Sequence, residues 1–274
     1  MQSTMTLSDG VRDVTDAEVA AYQQNGWTAL RGLVDPKVVA TLLQRLKSRM
    51  GDQAEIDMVP KGEKTPRPPT AKKLFTFYDN PAEDDEAIHD FAYSRGIGRV
   101  LSRCAGSKVR AYNNVCYVKM PVAREGGKTP WHQDWPYYPF DRMGSLTIWI
   151  ALVDVPAEMG TMRFVNGSHL WGPQGRIIHR TDGKDTMDIL PDYLRERVEI
   201  SPPLNLKAGD ATVHNDMTIH SAPVNATDLP RWVFSVVAFP ADTLFTGCPQ
   251  RRTDDLGLAI NQPLDHPRFP ILPT

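Results

Sequence analysis

Apolar residues recur at helical spacing in the first third of the chain. Thr15-Asp16-Ala17-Glu18 has the form of a capping box with Thr15 as N-cap, and it predicts a helix that ends near Asn25-Gly26. Asp35-Pro36 predicts the start of a second helix, because proline is favoured at the first helical position. Its apolar face would carry Val38, Val39, Leu42, Leu43 and Leu46. A third helix is predicted from about Glu83 to Cys104.

From Val109 onward, the pattern changes to short β-rich runs separated by turn residues. No long amphipathic helix interrupts these runs, so a parallel α/β sheet is not expected. The predicted fold is therefore mainly β, a sandwich, jelly roll or barrel with the N-terminal helices packed outside. The predicted strands are roughly Val109–Met120, Ser145–Val155, Thr161–Val165, Ala211–His220 and Arg231–Phe239.

The connections between these elements suggest one domain over residues 1–274. Its expected parts are a helical region at about 14–106, a barrel at about 107–242 and a C-terminal tail at 243–274. The stretch from Asp52 to Lys73 is rich in proline and lysine, and we expect a mobile loop there. The long, charged connection from about Leu170 to Val198 is expected to shape substrate access at the barrel mouth.

The composition narrows the class of protein. Of the 274 residues, 41% are hydrophobic and 23% are charged, and the net charge is −2, so neither nucleic acid nor an anionic membrane is an expected partner. The three cysteines form no Cys-x-x-Cys pair, which favours a reducing cytoplasm over a disulfide framework or a zinc knuckle. No apolar run of about 18 residues predicts a membrane span, and the polar N-terminus lacks the apolar core of a signal peptide. The sequence does not determine the oligomeric state.

The segment Trp131-His132-Gln133-Asp134-Trp135 carries the strongest chemical signal. A His and an Asp two residues apart in an extended segment project from the same side, so their ligating atoms can converge on one cation. Imidazole nitrogens with a carboxylate oxygen suit Fe(II), and also Mn(II), Co(II) or Zn(II). The alternative is that His132 packs under the two tryptophans while Asp134 caps a turn.

A second His-x-Asp, His214-Asn215-Asp216, competes with the first, and His220 follows it in the same predicted strand. Six residues of extended strand cover roughly 20 Å, so His214 and His220 cannot share one metal unless the strand is broken between them. We therefore prefer His132, Asp134 and His220 as the metal ligands. His214 is interpreted as a core residue or as one that supports a ligand.

Arg231 opens the last predicted strand, where alternation places Arg231, Val233 and Ser235 on one side. A guanidinium inside a barrel needs a carboxylate partner, because an unpaired buried charge is costly. Its planar fork matches a carboxylate in two-point contact, and no carboxylate in the strand pattern is an obvious mate. A ligand carboxylate is one explanation; the other is that Arg231 lies at the wet edge of the strand.

The ordered set of these motifs resembles the phytanoyl-CoA dioxygenase family of Fe(II)- and 2-oxoglutarate-dependent oxygenases. The resemblance covers most of the chain from about Leu101 to Asp242. Its motifs are Trp131-His132-Gln133-Asp134, Trp149-Ile150-Ala151-Leu152, the run from Gly160 to His169, Gly209-Asp210 followed by His220, and Asn225 with Arg231.

The resemblance implies a double-stranded β-helix, which is a cupin-like jelly-roll barrel. It implies that His132, Asp134 and His220 hold Fe(II), that Arg231 binds the distal carboxylate of 2-oxoglutarate, and that Trp149 lines the co-substrate pocket. Asn113 and Tyr117 fall where other members place co-substrate contacts. O₂ is the second co-substrate, and ascorbate is a candidate stimulant.

Two positions bear on the chemistry. Many family members carry a serine two residues after the distal histidine, whereas this chain has Ala222 there and Ser221 beside it. Related halogenases replace the ligand carboxylate with a small residue, whereas Asp134 is present here. The implied reaction is therefore oxygenation, with hydroxylation of an unactivated C–H bond as the first expectation and desaturation, ring formation or epimerisation as other outcomes.

The sequence indicates the substrate class less directly than the reaction class. Aromatic residues near the site favour an apolar or polycyclic substrate, although several can equally be core residues. The lysine-rich loop could meet the phosphates of an acyl-CoA, yet we rank a small natural-product intermediate above it. The rival functions are a cupin-like metal-dependent isomerase or hydrolase, and a binder without activity. The aromatic candidates for the pocket rim are Trp135, Tyr137, Tyr138, Phe140 and Trp171.

Overall fold

The computed structural model describes residues 7, 10–59, 75–124, 126–176 and 182–274. Its helices are α1 (Asp16–Asn25), α2 (Pro36–Met50), α3 (Glu86–Ala92), α4 (Arg95–Ala105), α5 (Thr186–Ile189) and α6 (Asp192–Arg195). Its strands are β1 (Trp27–Leu30), β2 (Thr76–Asp79), β3 (Val109–Lys119), β4 (Thr129–His132), β5 (Leu146–Ala151), β6 (Arg163–Phe164), β7 (Ala211–Asn215), β8 (His220–Ala222) and β9 (Arg231–Pro240).

The strands form two antiparallel sheets of a double-stranded β-helix. The larger sheet has the order β1-β7-β5-β9-β3-β2, and the smaller one has the order β4-β8-β6. Except for β2 and β3, neighbouring strands in each sheet are not consecutive in the chain, as expected for a jelly roll. The predicted mainly β fold with N-terminal helices is confirmed.

The first two predicted helices are confirmed with their caps. Thr15 and Glu18 form the reciprocal capping box at the start of α1, and Gly26 ends that helix in the left-handed conformation. Asp35 caps α2, where its carboxylate accepts a hydrogen bond from the Lys37 amide at 2.7 Å. The predicted apolar face of α2 is buried, except that Leu43 is only half-buried.

The third predicted helix is wrong as a single element, because the chain forms α3 and α4 with a break at Tyr93-Ser94. The Ser94 hydroxyl accepts from the Ile97 amide and so begins a new helix instead of continuing the old one. Strands β1 and β2 were also missed within the region predicted as helical. Each has only four residues, and pairing with β7 and β3 rather than local sequence stabilises them.

Strand β9 follows the predicted alternation. Trp232, Phe234 and Val236 belong to the core between the larger sheet and the helices, whereas Val233 packs on the barrel side. Each large apolar side chain buried in this way contributes about 1.5–3 kcal/mol relative to exposure. The helices therefore hold the outer face of the sheet and leave its inner face for a cavity.

The predicted strand Ala211–His220 is wrong, because β7 ends at Asn215 and β8 begins at His220. The Asn215 side chain accepts from the Met217 amide at 2.9 Å, and the Thr218 amide donates to the Asn215 carbonyl at 2.9 Å. Asparagine commonly forms such local turns in competition with a strand. The chain thereby passes from the larger sheet to the smaller one.

Two predicted loops are described only in part. Of the expected Asp52–Lys73 loop, residues 60–73 lie outside the described residues, and Met58 forms a β-bridge with Tyr78. The connection after Leu170 contains α5 and α6, and residues 177–181 lie outside the described part. Among the described helices, none has the length and apolar character required to cross a bilayer.

Candidate metal centre

Two strands of the smaller sheet bring the predicted metal ligands together. His132 ends β4 and His220 begins β8, and the two residues are cross-strand partners whose ring centroids lie 4.2 Å apart. Asp134 follows two residues after His132. One potential ligand atom from each of the three residues lies within 4.8 Å of the other two. The arrangement is one that a single metal ion can bridge.

Backbone carbonyls fix the orientation of both imidazoles. His132 Nδ1 lies 2.8 Å from the Pro130 carbonyl, and His220 Nδ1 lies 2.9 Å from the Thr218 carbonyl. Because a carbonyl only accepts, each Nδ1 carries the proton and donates it. Each Nε2 then presents its lone pair towards Asp134, which is the orientation that a metal-binding histidine needs.

The protonation states of two of these residues suit a metal. Burial and the neighbouring His132 lower the pKa of His220 well below its usual range, so its imidazole is neutral at neutral pH. Burial opposes ionisation of Asp134, but the imidazoles around it, with His214 Nε2 as hydrogen-bond donor, hold the pKa of this carboxyl well below its usual range. A neutral imidazole beside an ionised carboxylate is a ligand pair for a divalent cation.

The two oxygens of Asp134 have different neighbours. Oδ1 lies 3.5 Å from His132 Nε2 and 3.8 Å from His220 Nε2. Oδ2 lies 3.3 Å from His214 Nε2 and 3.5 Å from Thr147 Oγ1. His214 therefore contacts the carboxylate of the cluster, in agreement with its interpretation as a residue that supports a ligand.

The same strand break holds the segment that carries Asp134. The Asp134 amide donates to the Asp216 carbonyl at 2.9 Å. The fully buried Gln133 donates to the carbonyls of Met217 and Gly172 and accepts from the Gln174 amide at 2.6 Å. Gln133 thus ties the metal-binding segment to the break and to the loop after Trp171, a role that sequence reasoning missed.

Arg231 lies inside the barrel and not at its wet edge. Its side chain is 1% exposed, its guanidinium lies 5.1 Å from the centre of the Trp149 ring, and its Nη1 donates to the Gly160 carbonyl. Burial lowers the pKa of Arg231 to about 9, which still leaves it charged at neutral pH. Its Nε has no hydrogen-bond partner among the described residues.

A second buried basic residue, Lys119, lies opposite Arg231 on the neighbouring strand. Its Nζ donates to the Thr129 hydroxyl and to the carbonyls of Ala222 and Pro223, at 2.8–3.2 Å. Burial and Arg231 lower the pKa of Lys119 to about 6. At neutral pH Lys119 is therefore largely neutral, whereas Arg231 is charged and pairs with no carboxylate in the described part of the chain, so this end of the barrel favours an anion.

A cavity of ≈ 470 Å³ connects these groups. All seven predicted site residues line it: His132, Asp134, His220, Arg231, Trp149, Asn113 and Tyr117. Ser221 and Ala222 also line it. The buried oxygens Asn113 Oδ1 and Ser235 Oγ have no partner among the described residues, and both residues belong to the cavity wall. Such atoms indicate a polar ligand, because buried polar groups are normally hydrogen-bonded.

The aromatic rim differs from the prediction. Of the five aromatic candidates, Tyr138 alone belongs to the cavity wall. Phe140 packs in a core cluster with Tyr112 and Phe245, and Trp135 donates its indole N–H to the Arg142 carbonyl. Phe75 and Phe77 near and on β2 supply further aromatic wall, which the missed strand explains.

Charged residues at the cavity wall also escaped the sequence analysis. Asp79, from β2, forms an ion pair with Arg251 from the C-terminal tail, and both line the cavity. Asp79 is 4% exposed. No local motif marks these two residues, because their proximity depends on how the tail folds back on the barrel.

Comparison with known proteins agrees with this geometry. Residues 22–233 match the family model "Phytanoyl-CoA dioxygenase (PhyH)". A probable alpha-ketoglutarate-dependent hypophosphite dioxygenase of Stutzerimonas stutzeri is 24% identical over 227 residues, which cover 77% of this chain and 73% of that protein. The 1-deoxypentalenic acid 11-beta-hydroxylase of Streptomyces exfoliatus is 23% identical over 250 residues, with 83% and 82% covered.

The solved structures that resemble this chain are also alpha-ketoglutarate-dependent enzymes. The non-heme alpha-ketoglutarate-dependent carbocyclase SnoK from nogalamycin biosynthesis superposes with a TM-score of 0.75 at 25% identity, covering 98% of this chain and 99% of SnoK. The epimerase SnoN in complex with Fe³⁺, alpha-ketoglutarate and nogalamycin RO gives 0.74 at 26% identity, covering 94% and 98%.

The protein is therefore an iron- and 2-oxoglutarate-dependent dioxygenase, an oxidoreductase that uses O₂ and acts with small molecules. It belongs to the phytanoyl-CoA dioxygenase family. The resemblance, the enzyme class and the cofactors predicted from the sequence are confirmed. The rival functions, a hydrolase or isomerase without 2-oxoglutarate and an inactive binder, are set aside.

Proposed function

We propose that this dioxygenase oxidises an unactivated C–H bond of a small organic molecule, with hydroxylation as the outcome, and releases succinate and CO₂. The observation that carries the proposal is the His132, Asp134 and His220 cluster in one cavity with Arg231. In this proposal the three residues of the cluster hold Fe(II). Two imidazoles and one carboxylate leave further metal positions open for co-substrate and O₂.

Arg231 is proposed to bind the distal carboxylate of 2-oxoglutarate. It is buried, its Nε has no hydrogen-bond partner among the described residues, and the Lys119 amine lies beside it on the neighbouring strand. A ligand carboxylate would neutralise this end of the barrel and take a charge-assisted two-point contact with the guanidinium. Trp149 would hold the guanidinium plane in place from its 5.1 Å contact.

Asn113 and Tyr117 are proposed as further co-substrate contacts. Both line the cavity, and the Asn113 carboxamide oxygen is buried without a partner among the described residues. The Ser235 hydroxyl is likewise buried without a hydrogen-bond partner among the described residues. We propose that Ser235 supplies the hydroxyl that Ala222 lacks, since Ser235 lies on the same face of β9 as Arg231.

Iron and 2-oxoglutarate, when bound, supply the oxidising power for O₂ activation. The protein's own residues orient these groups, exclude water and hold the substrate C–H bond at the open side of the metal. The aromatic wall from Phe75, Phe77, Tyr117 and Tyr138 fits a substrate with an apolar ring system. The Asp79–Arg251 pair offers a polar contact at the same wall.

A natural-product intermediate is the substrate class we favour. Several relatives are named for such chemistry, namely SnoK and SnoN from nogalamycin biosynthesis and a 1-deoxypentalenic acid 11-beta-hydroxylase. The relatives include a carbocyclase and an epimerase, so ring formation and epimerisation are the competing outcomes. An acyl-CoA substrate would rely on the lysine-rich stretch, most of which lies outside the described residues.

We also propose that residues 1–274 form one domain. The tail residues Phe245, Leu264 and Phe269 pack in a buried cluster with Tyr112 of β3, so the tail completes the barrel end.

The proposed function is tested with reconstituted enzyme and a panel of ring-containing natural products. O₂ uptake and succinate release should require both Fe(II) and 2-oxoglutarate, and one panel member should accelerate them and gain one oxygen atom by mass spectrometry. A product that loses two hydrogens, or that has the same mass with an inverted centre, would replace hydroxylation by the competing outcomes. Turnover of a panel member without 2-oxoglutarate would refute the proposal.

A further inference from the structure

His214 occupies a distinctive place beside the metal cluster. Its side chain is 2% exposed, and its ring centroid lies 4.5 Å from that of His220. His214 Nε2 nevertheless approaches Asp134 Oδ2, whereas His132 and His220 approach the other carboxylate oxygen, Oδ1. It is not part of the three-residue cluster whose ligand atoms lie mutually within 4.8 Å.

The chemistry of the contact fixes the direction of the hydrogen bond. An ionised carboxylate can only accept, so His214 Nε2 carries the proton and donates it. His214 Nδ1 is buried and has no partner among the described residues, so no competing bond turns the ring. Thr147 Oγ1 lies 3.5 Å from the same Oδ2 and adds a weaker donor.

We infer that His214 is a positioning residue that holds Asp134 in one-oxygen coordination. This inference rests on the proposed role of His132, Asp134 and His220 as iron ligands. The hydrogen bond from His214 directs Oδ2 towards His214 and leaves Oδ1 as the oxygen presented beside His132 and His220. The carboxylate is thereby prevented from taking a second metal position, which stays free for 2-oxoglutarate and O₂.

The inference is tested with a nearly matched pair of variants, His214→Gln and His214→Asn, together with a deletion of the donor and a surface control. The Nε2 of His214→Gln can lie close to the position of the histidine Nε2, so it keeps a donor to Asp134 Oδ2. The shorter amide of His214→Asn carries the same chemistry but does not reach Oδ2. His214→Leu removes the donor, and the surface variant His89→Leu controls for loss of an imidazole, since His89 is exposed on α3.

The first measurement is Mn(II) affinity of the metal-free proteins by calorimetry. Loss of an outer partner of a metal ligand typically weakens metal binding roughly 10- to 100-fold, and we expect this for His214→Leu and His214→Asn. The Gln variant and the His89 control should stay close to the wild type. Equal Mn(II) affinity of the Asn and Gln variants would overturn the inference.

The second measurement is the visible absorption that arises when 2-oxoglutarate chelates Fe(II) without O₂. In the Leu and Asn variants, a higher 2-oxoglutarate concentration should be needed to develop the band, because Asp134 competes for a metal position. An unchanged titration in both variants would overturn the inference. If His214→Leu does not fold, the comparison of His214→Asn with His214→Gln tests the positioning role.

The two proposals fail in distinguishable ways. A wild-type protein that binds neither Mn(II) nor Fe(II) refutes the proposed iron ligands themselves. A wild type that binds metal, with His214 variants that bind and titrate identically, refutes only the positioning role. Thr147→Val should weaken Mn(II) binding less than His214→Leu, since its contact is the longer of the two.

Discussion

The imidazoles of His214 and His220 lie 4.5 Å apart between ring centroids, although six positions separate them in the chain. An unbroken strand would place them roughly 20 Å apart. The turn that begins at Asn215 removes this separation and moves His220 into the smaller sheet. The same turn supplies the backbone carbonyls that hold Gln133 and Asp134. This one break in the strand therefore positions His220 and also holds the segment that carries Asp134.

Arg231→Leu should weaken 2-oxoglutarate binding at least about 30-fold, since removal of one partner from a buried charge pair costs about 2 kcal/mol or more. Arg231→Lys should recover part of this loss, because it keeps the charge without the two-point fork. The measurement is the 2-oxoglutarate dependence of succinate release, together with the thermal shift that 2-oxoglutarate induces.

The control for Arg231 is the Tm of the protein without 2-oxoglutarate. It should not fall in Arg231→Leu, because the change removes a buried cation that has no described carboxylate partner. An Arg231→Leu enzyme with the wild-type KM for 2-oxoglutarate would show that the distal carboxylate binds elsewhere.

Gln133→Ala should lower the free energy of unfolding by about 1–3 kcal/mol, because the buried Met217 carbonyl and the Gln174 amide lose their partner and the Gly172 carbonyl loses one of its donors. It should also weaken Mn(II) binding, since the segment that carries Asp134 loses its tie to the strand break. Urea denaturation and calorimetry measure the two effects. Gln174→Ala is the matched control, because the Gln174 amide that bonds Gln133 belongs to the backbone and is retained. A Gln133→Ala protein as stable as this control would contradict the assigned role.

Asp210 gives a pH-dependent prediction away from the cavity. Its carboxylate accepts from the amides of Gly32 and Lys207 and from Arg31, and these bonds hold its pKa below the usual range against the opposing effect of burial. A lowered pKa means that the stabilisation is present above about pH 4 and is lost as pH falls through the folded-state pKa.

Asp210→Asn should therefore be less stable than the wild type by about 1–3 kcal/mol at pH 7, and the gap should narrow towards pH 3. Urea denaturation across this range measures it, with the exposed Glu196→Gln as control. A gap that stays constant with pH would mean that Asp210 stabilises the fold in a way that does not depend on its charge.

The sequence predicted the parts of the fold and site that depend on short spacing. The capping box at Thr15, the His132-x-Asp134 pair and the alternation along β9 each concern residues a few positions apart, where local geometry dominates. The alternation placed Arg231 on one face of this strand but left its role open, and the family resemblance supplied that role. The ordered motifs then linked the two histidines across 88 positions of sequence, counted from His132 to His220.

Features that depend on tertiary contacts could not be predicted in this way. Strand β2 exists because β3 pairs with it, and Asp79 therefore faces a cavity that no local pattern indicates. Tyr138 lines the cavity whereas Phe140, which stacks on it, lies in the core cluster with tail residues, and this difference depends on the position of the tail. The strand break was more accessible, since Asn215-Asp216 is a turn signal within the predicted strand.

The most direct test of the site is iron content and co-substrate binding in four proteins, namely the wild type, His132→Ala, Asp134→Ala and His220→Ala. The wild type, reconstituted without O₂, should hold one Fe(II) per chain and develop the visible absorption of chelated 2-oxoglutarate. Each variant should fold yet lose the band and at least part of the iron. Wild-type iron content and an unchanged band in any of the three variants would contradict the assignment of that residue as a ligand.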